Sequence, residues 1–84
     1  NGPVDAVFNA IRQIVPHDAK LDLYQVHAVT GGTDAQATVS VRLNGEGIMA
    51  TGRSSDPDTL VASAKAYLHA VNKLEARKAK RKAA

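Results

Sequence analysis

The sequence contains no cysteine and no tryptophan, and only three of its 84 residues are aromatic: Phe8, Tyr24 and Tyr67. Without cysteine the chain can form neither a disulfide nor a thiolate metal site, which is typical of a reducing compartment. No apolar run approaches the ~20 residues that a membrane-spanning helix needs, and no signal peptide is visible. These absences predict a cytoplasmic protein with no membrane partner, whose core is built from aliphatic residues and alanine.

The sequence also lacks a recognisable catalytic or metal-binding constellation. The three histidines, His17, His27 and His69, fall in a predicted loop, strand and helix and have no metal-ligand spacing. The aspartates occur at helix starts and turns, where capping explains them without acid–base chemistry. We therefore expect no catalytic residue, metal site or cofactor in this chain, and its start at Asn-Gly-Pro, without methionine, predicts a fragment of a longer protein.

The net charge of +3 comes entirely from the end of the chain. Residues 1–72 carry five basic and seven acidic residues, a net charge of −2, whereas six of the eleven basic residues fall in the last dozen positions. Such a tail can bind nucleic acid through phosphate contacts, and a small nucleic-acid-binding protein is one alternative function. However, the rest of the chain offers no basic groove and little aromatic stacking surface. A solvated helix end, with no nucleic-acid partner, is the simpler interpretation.

Two helices are predicted at the ends of the chain. The first, about residues 3–15, starts at a proline that helices tolerate at their first position, and ends before Pro16. The second starts with Asp56 as N-cap and Pro57 at its first position. Its apolar stripe comprises Leu60, Val61, Ala64, Tyr67, Leu68, Val71 and Leu74. Because this stripe ends at Leu74, we assign residues 1–77 to one domain and residues 78–84 to a basic tail that frays.

Three strands are predicted between the helices, over residues 20–30, 35–43 and 48–53. Gly31-Gly32 and Asn44-Gly45 supply the positive φ angles that tight connections need. In the second strand Ala35, Ala37, Val39, Val41 and Leu43 alternate with polar residues, which indicates one buried face. The sequence therefore predicts an α+β fold of two layers, α-β-β-β-α, with a three-stranded antiparallel sheet and both helices on one face.

The first strand differs from the second because both of its faces are apolar. One face is predicted to hold Leu21, Leu23, His27 and Val29, and the other Tyr24, Val26 and Ala28. A strand that is apolar on both sides needs cover on both sides, and the helices of one chain supply only one layer. This pattern predicts self-association, most simply as a two-fold homodimer.

The start of the first helix is the best candidate for a binding site. Free N–H groups and the helix dipole favour an anion there, and Gly2 leaves the approach to the backbone open. A carboxylate from an amino-acid ligand would fit this corner. A common helix start of this kind can equally be a cap with no ligand.

Several motifs, in order along about residues 1–72, resemble the C-terminal regulatory domain of the 2-isopropylmalate synthase family. The chain opens with the end of that family's GNGPVDA motif. The other matching positions are Leu21, Tyr24, His27-Ala28, Gly32-Thr33-Asp34-Ala35-Gln36, Gly52-Arg53, Ala62-Ser63-Ala64-Lys65-Ala66-Tyr67 and Ala70-Val71-Asn72. The family's regulatory domain contains two β-β-β-α units, and this chain corresponds to the last helix of the first unit plus the whole second unit.

The resemblance implies an allosteric module that binds leucine, the end product of the pathway, at a dimer interface. Carried over by position, the effector-binding residues are Gly2, Tyr24, Ala28, Asp34 and Ala35. The resemblance also implies a partner catalytic domain, a TIM barrel with a divalent metal, elsewhere in the parent acyltransferase. The homologous module of citramalate synthase, which answers to isoleucine, is the alternative within the family. The two ligands differ in where one methyl group branches, a difference worth only ~1–3 kcal/mol.

Overall fold

The computed structural model describes residues 2–29 and 35–83. Its elements in chain order are α1 (Gly2–Ile14), β1 (Lys20–Val29), β2 (Gln36–Gly45), β3 (Ile48–Asp56) and α2 (Thr59–Ala83). The strands form one antiparallel sheet in the order β1-β2-β3, and both helices join a single core with the central strand. The predicted fold class and element order are confirmed. The predicted Gly31-Gly32 turn lies outside the described residues.

The central strand β2 supplies the middle of the core. Val39, Val41 and Leu43 have no solvent exposure, as their alternation with polar residues predicted. Ala35 is exposed and precedes the strand instead of opening it. On the opposite face Ser40 is also buried, because the Arg53 side chain lies over it and donates from Nε to Ser40 Oγ at 3.2 Å.

The hairpin between β2 and β3 turns two residues later than predicted. Asn44 and Gly45 still belong to β2, and Gly45 pairs with Ile48. The turn residues are Glu46 and Gly47, with φ angles of 55° and 77°. A two-residue turn with positive φ at both positions matches the twist of an antiparallel pair, so the prediction of an Asn44-Gly45 turn was wrong.

A β-bulge in β1 changes which side chains share a face. Leu21 pairs with Leu43, but Leu23 pairs with Arg42, so the register shifts by one residue at Asp22. Residues that pair directly across two strands lie on the same face of the sheet. Leu21 therefore lies on the helix-facing side with Tyr24, Val26 and Ala28, and its predicted placement with Leu23 was wrong. An extra residue in one strand cannot be read from alternation.

The second helix packs on the sheet through its small residues. Ala62, Ala66 and Ala70 are fully buried, and a Cβ at Gly52 in β3 would overlap the backbone of Ala66 and Ala70. The glycine thus allows a close approach of helix and strand. The predicted apolar stripe was partly wrong, since three of its members are 38–39% exposed: Leu60, Val61 and Leu68.

Both ends of α2 differ from the sequence prediction. The helix N-cap is Asp58, whose Oδ1 accepts hydrogen bonds from Leu60 N at 2.8 Å and Val61 N at 3.4 Å. The predicted N-cap, Asp56, is instead the last residue of β3 and accepts from the Asp58 amide. At the other end the helix continues to Ala83, through most of the tail expected to fray. The division of the chain at residue 77 stays a prediction.

Candidate functional site

The start of α1 is open, as the sequence suggested. Gly2 is exposed and has a φ of +83°, and a Cβ placed on it would meet no atom within 4 Å. Asp5 lies in the first turn of the helix, where a negative charge suits the helix dipole. The backbone N–H groups of a first helical turn have no partners within the helix. This corner can therefore accept an anion that approaches the backbone.

Tyr24 is directed into the protein from the middle of β1. Its hydroxyl group lies 2.8 Å from Ser63 Oγ in α2, and its ring meets Phe8 of α1 edge-on, with 5.7 Å between ring centroids. Phe8 in turn stacks on Tyr67 at 4.4 Å. Tyr24 therefore joins both helices to the sheet, and its half-buried ring forms part of the wall beneath α1.

Two small residues lie beyond Tyr24 near the end of β1. Ala28 is exposed, shares the helix-facing side with Tyr24 and pairs with Ala37 of β2. Ala35 is exposed and directly precedes β2. Asp34, the remaining predicted effector residue, lies outside the described residues. The structure thus brings Tyr24 and Ala28 onto one face of one strand.

The direction of α1 relates Gly2 to that strand. Arg12, near the end of α1, donates from Nη2 to the carbonyl oxygen of Ala19, just before β1 starts, at 3.4 Å. Phe8, halfway along α1, lies against Tyr24. The helix therefore runs antiparallel to β1, and its N-terminal Gly2 points toward the end of the strand that carries Ala28.

A cleft of about 250 Å³ lies between α1, the start of β1 and α2. Its lining residues are Asp5, Phe8, Asn9, Arg12, Leu21 and Tyr67, and none of them was among the predicted effector residues. Phe8, Leu21 and Tyr67 give it apolar walls, and the polar residues lie on one stripe of α1. The spacing of Asp5, Asn9 and Arg12 along the helix was a signal that sequence reasoning did not use.

The loop between α1 and β1 is held by His17. Its Nε2 lies 2.8 Å from the Tyr67 hydroxyl group, and its Nδ1 accepts a hydrogen bond from the Ala19 amide at 3.2 Å. Burial, followed by the positive charge of Arg12, lowers the pKa of His17 below its ordinary value. A neutral imidazole with Nδ1 as acceptor fits this environment, so His17 serves as a structural link between the loop and α2.

The described part of the chain contains no group of three or more side chains suited to hold a metal ion. No helix within residues 2–29 and 35–83 is long and apolar enough to cross a membrane.

Comparison with known proteins gives a consistent result along most of the chain. The model of the LeuA allosteric (dimerisation) domain matches residues 1–75. A 2-isopropylmalate synthase of Afipia carboxidovorans is 74% identical over 77 residues, which cover 92% of this chain and 15% of that protein. One from Rhodopseudomonas palustris is 73% identical over 78 residues, 93% of this chain and 15% of that protein. The chain therefore spans about 15% of the length of these relatives. No solved structure matches significantly.

Proposed function

The chain belongs to the LeuA allosteric (dimerisation) domain family, and we propose that it binds leucine as the feedback-inhibition module of a 2-isopropylmalate synthase. The observation that carries this proposal is the family match over residues 1–75, which includes the open helix start and all three strands. The relatives are named 2-isopropylmalate synthase and not citramalate synthase, and the family resemblance links the first of these enzymes to leucine. Leucine is therefore proposed ahead of isoleucine as the effector.

The start of α1 provides the recognition element for the ligand's carboxylate. At Gly2 no side chain blocks the approach to the first N–H groups of the helix, and the positive φ angle is one that glycine adopts without strain. Helix N-termini attract anions through these N–H groups and the helix dipole. A carboxylate bound there would stand at the end of α1 that points toward Ala28.

The exposed part of β1 provides the surface for an aliphatic side chain. Val26 is 43% exposed although it faces the helix layer, and Ala28 beside it is also exposed. Small and aliphatic residues at these positions leave room for a branched side chain beyond the Tyr24 ring. The family resemblance adds Ala35 and Asp34, which precede β2, to the same proposed site.

Exposed apolar side chains on several elements favour a homodimer. Leu21 and Val26 are each 43% exposed, and Val61 of α2 is 39% exposed. Burial of apolar surface is worth ~25 cal/mol per Å², from which the costs of association must be subtracted. A second copy related by a two-fold axis is the simplest partner that covers these residues in both chains at once.

In the parent protein we propose that this chain is non-catalytic. The acyl transfer, with its divalent metal, would take place in a separate catalytic domain of the cytoplasmic parent enzyme. The present chain would supply effector binding and dimer contacts only.

Calorimetric titration of the 84-residue chain with leucine, isoleucine and a DNA duplex tests this proposal. We expect leucine to bind more tightly than isoleucine, with no heat from the duplex. Tighter isoleucine binding would reassign the effector. Salt-sensitive duplex binding without any amino-acid response would overturn the proposal.

Sedimentation of the same samples tests the dimer. A two-chain species at micromolar concentration is the expected result. A monomer at several hundred micromolar would contradict dimerisation of this chain.

A further inference from the structure

The strand β3 forms one edge of the sheet. On such an edge the N–H and C=O groups of alternate residues point away from the neighbouring strand. Arg53, Thr51 and Met49 are alternate residues of this kind along β3. An uncovered row of backbone groups is a template on which a strand of another molecule can pair.

In this structure a row of α2 side chains occupies that edge. Lys73 Nζ donates to the Thr51 carbonyl oxygen at 3.0 Å, and Arg77 donates to the carbonyl oxygen of Met49. One turn earlier, His69 Nδ1 accepts from the Arg53 amide at 3.2 Å. We call His69, Lys73, Arg77 and Arg81 the edge row.

The spacing of the edge row follows from the geometry of helix and strand. Four residues advance an α-helix by about 6 Å, and two residues advance an antiparallel strand by about 6.8 Å. Because these two spacings are similar, every fourth side chain of a helix that runs alongside a strand can reach the backbone of every second strand residue, for several contacts in a row. At the end of the row Arg81 Nη1 reaches the Glu46 carbonyl oxygen in the hairpin turn, at 2.9 Å.

At the opposite edge, the side chains of Arg12 and His17 hydrogen-bond to the backbone of Ala19, which directly precedes β1. Three basic residues of α2, Lys73, Arg77 and Arg81, are bound to backbone oxygens of β3 and of the hairpin turn before it. These three are half of the six basic residues in the last dozen positions of the chain. Their contacts within the protein explain their presence without nucleic-acid binding.

We propose that the edge row covers β3 and prevents a second copy of this chain from pairing with it strand to strand. The strand that would otherwise pair with this edge is β3 of a second copy. Two copies of this nine-residue strand can pair antiparallel about a two-fold axis. Met49, which is 50% exposed, would lie within such a pairing. The dimer proposed above would then use a different surface, and the edge cover does not depend on effector binding.

Two double variants with equal loss of charge test the proposal. Lys73→Ala with Arg77→Ala removes two contacts to β3, whereas Lys80→Ala with Lys82→Ala removes two exposed charges that make no hydrogen bond or ion pair with the described residues. Sedimentation velocity of each variant over 10 to several hundred micromolar (about a thirtyfold range) would be compared with the unaltered chain. We expect the first variant to self-associate with an association constant at least tenfold larger than that of the unaltered chain. The second variant should have the same association constant as the unaltered chain.

A third variant identifies the edge as the point of contact. Thr51→Pro, added to the first variant, removes one of the N–H groups that point away from the sheet. Edge strands tolerate proline at such a position. We expect it to restore the sedimentation of the unaltered chain. The proposal is overturned if the first double variant sediments as the unaltered chain does, if both double variants associate equally, or if Thr51→Pro leaves the association unchanged. If the first variant fails to fold by circular dichroism, the single variants Lys73→Ala and Lys80→Ala carry the same comparison.

Discussion

The hydroxyl oxygens of Tyr24 and Ser63 lie 2.8 Å apart and join β1 to α2. Ser63 has no solvent exposure, so its hydroxyl group depends on this partner rather than on water. Tyr24→Phe should lower the free energy of unfolding by about 1–3 kcal/mol, because a buried polar group loses its partner. Urea unfolding measures this effect.

The double variant Tyr24→Phe with Ser63→Ala is the control for this prediction. Removing both hydroxyl groups leaves no unsatisfied polar atom, so it should cost less than Tyr24→Phe and Ser63→Ala added together. Additive effects of the two substitutions would show that the hydrogen bond contributes no coupling.

Gly52 sets how closely α2 approaches the sheet. Because a Cβ there would overlap the backbone of Ala66 and Ala70, Gly52→Ala must push the helix away from β3. We expect a loss of at least about 3 kcal/mol, at the upper end of overpacking effects. Thr51→Ala, at the neighbouring position, should change the free energy of unfolding by no more than about 0.5 kcal/mol. Equal effects of the two substitutions in thermal or urea unfolding would contradict this account of Gly52.

His17 should make the stability depend on pH near neutrality. Its pKa is lower in the folded chain than the ordinary value of 6.5, so protons bind the unfolded chain more tightly. The stabilisation is present above pH 6.5 and is lost as the pH falls below that value. We expect the urea midpoint to decrease from about pH 7.5 to about pH 5, an interval that brackets the ordinary histidine pKa. His17→Gln should flatten this dependence.

Two observations separate His17 from other titrating groups. The hydrogen bond from the Asp58 amide, and to a smaller extent the one from Lys65, lowers the pKa of Asp56 below 3.8. Asp56 therefore affects the pH dependence of stability only at more acidic pH. His27→Gln is the matched control, since His27 is exposed on β1. A pH dependence that survives in the His17 variant would assign it to another residue.

Gly2→Asp should abolish leucine binding in the proposed site. The carboxylate would occupy the approach to the helix start and repel the ligand's own carboxylate. Because Gly2 has a φ of +83°, any replacement also strains the backbone, by about 1–2 kcal/mol. Gly2→Ala introduces the same strain without charge and should bind leucine more weakly than the unaltered chain but better than Gly2→Asp. Leucine affinity unchanged by Gly2→Asp would place the site elsewhere.

Truncation after Arg77 tests the predicted tail. It removes the ion pair of Lys78 with Glu46, whose side chain is 60% exposed, and the hydrogen bond from Arg81 to the Glu46 carbonyl oxygen. Exposed charge pairs contribute about 0–1 kcal/mol, so Tm should fall by no more than a few degrees. The truncation removes Arg81 from the edge row, but this residue contacts the hairpin turn; Lys73 and Arg77, which contact β3 itself, remain, so association should not increase. A decrease in Tm of more than ten degrees (beyond the ~4–8 °C that 1 kcal/mol produces in a domain of this size) would show that the tail packs more firmly.

Much of the candidate site was visible in the sequence because it depends on local chemistry. A glycine before a proline and an aspartate predicts a helix start whatever the rest of the chain does, and α1 begins there. The placement of Tyr24 and Ala28 on one face follows from the two-residue period of a strand. The cleft beside α1 was not predictable in the same way, since its walls come from three separate elements.

The sequence by itself determined the order of the elements, the alternating core strand and the open helix start, because each depends on residues that are close in the chain. Tertiary structure decided the bulge at Asp22, the alanine face of α2 and the edge row on β3. The physical reason is distance along the chain. Whether α2 presents leucines or alanines to the sheet depends on Gly52, which lies at least ten residues earlier and permits the close approach. Whether Lys73 is solvated or bound depends on a carbonyl group 22 residues away.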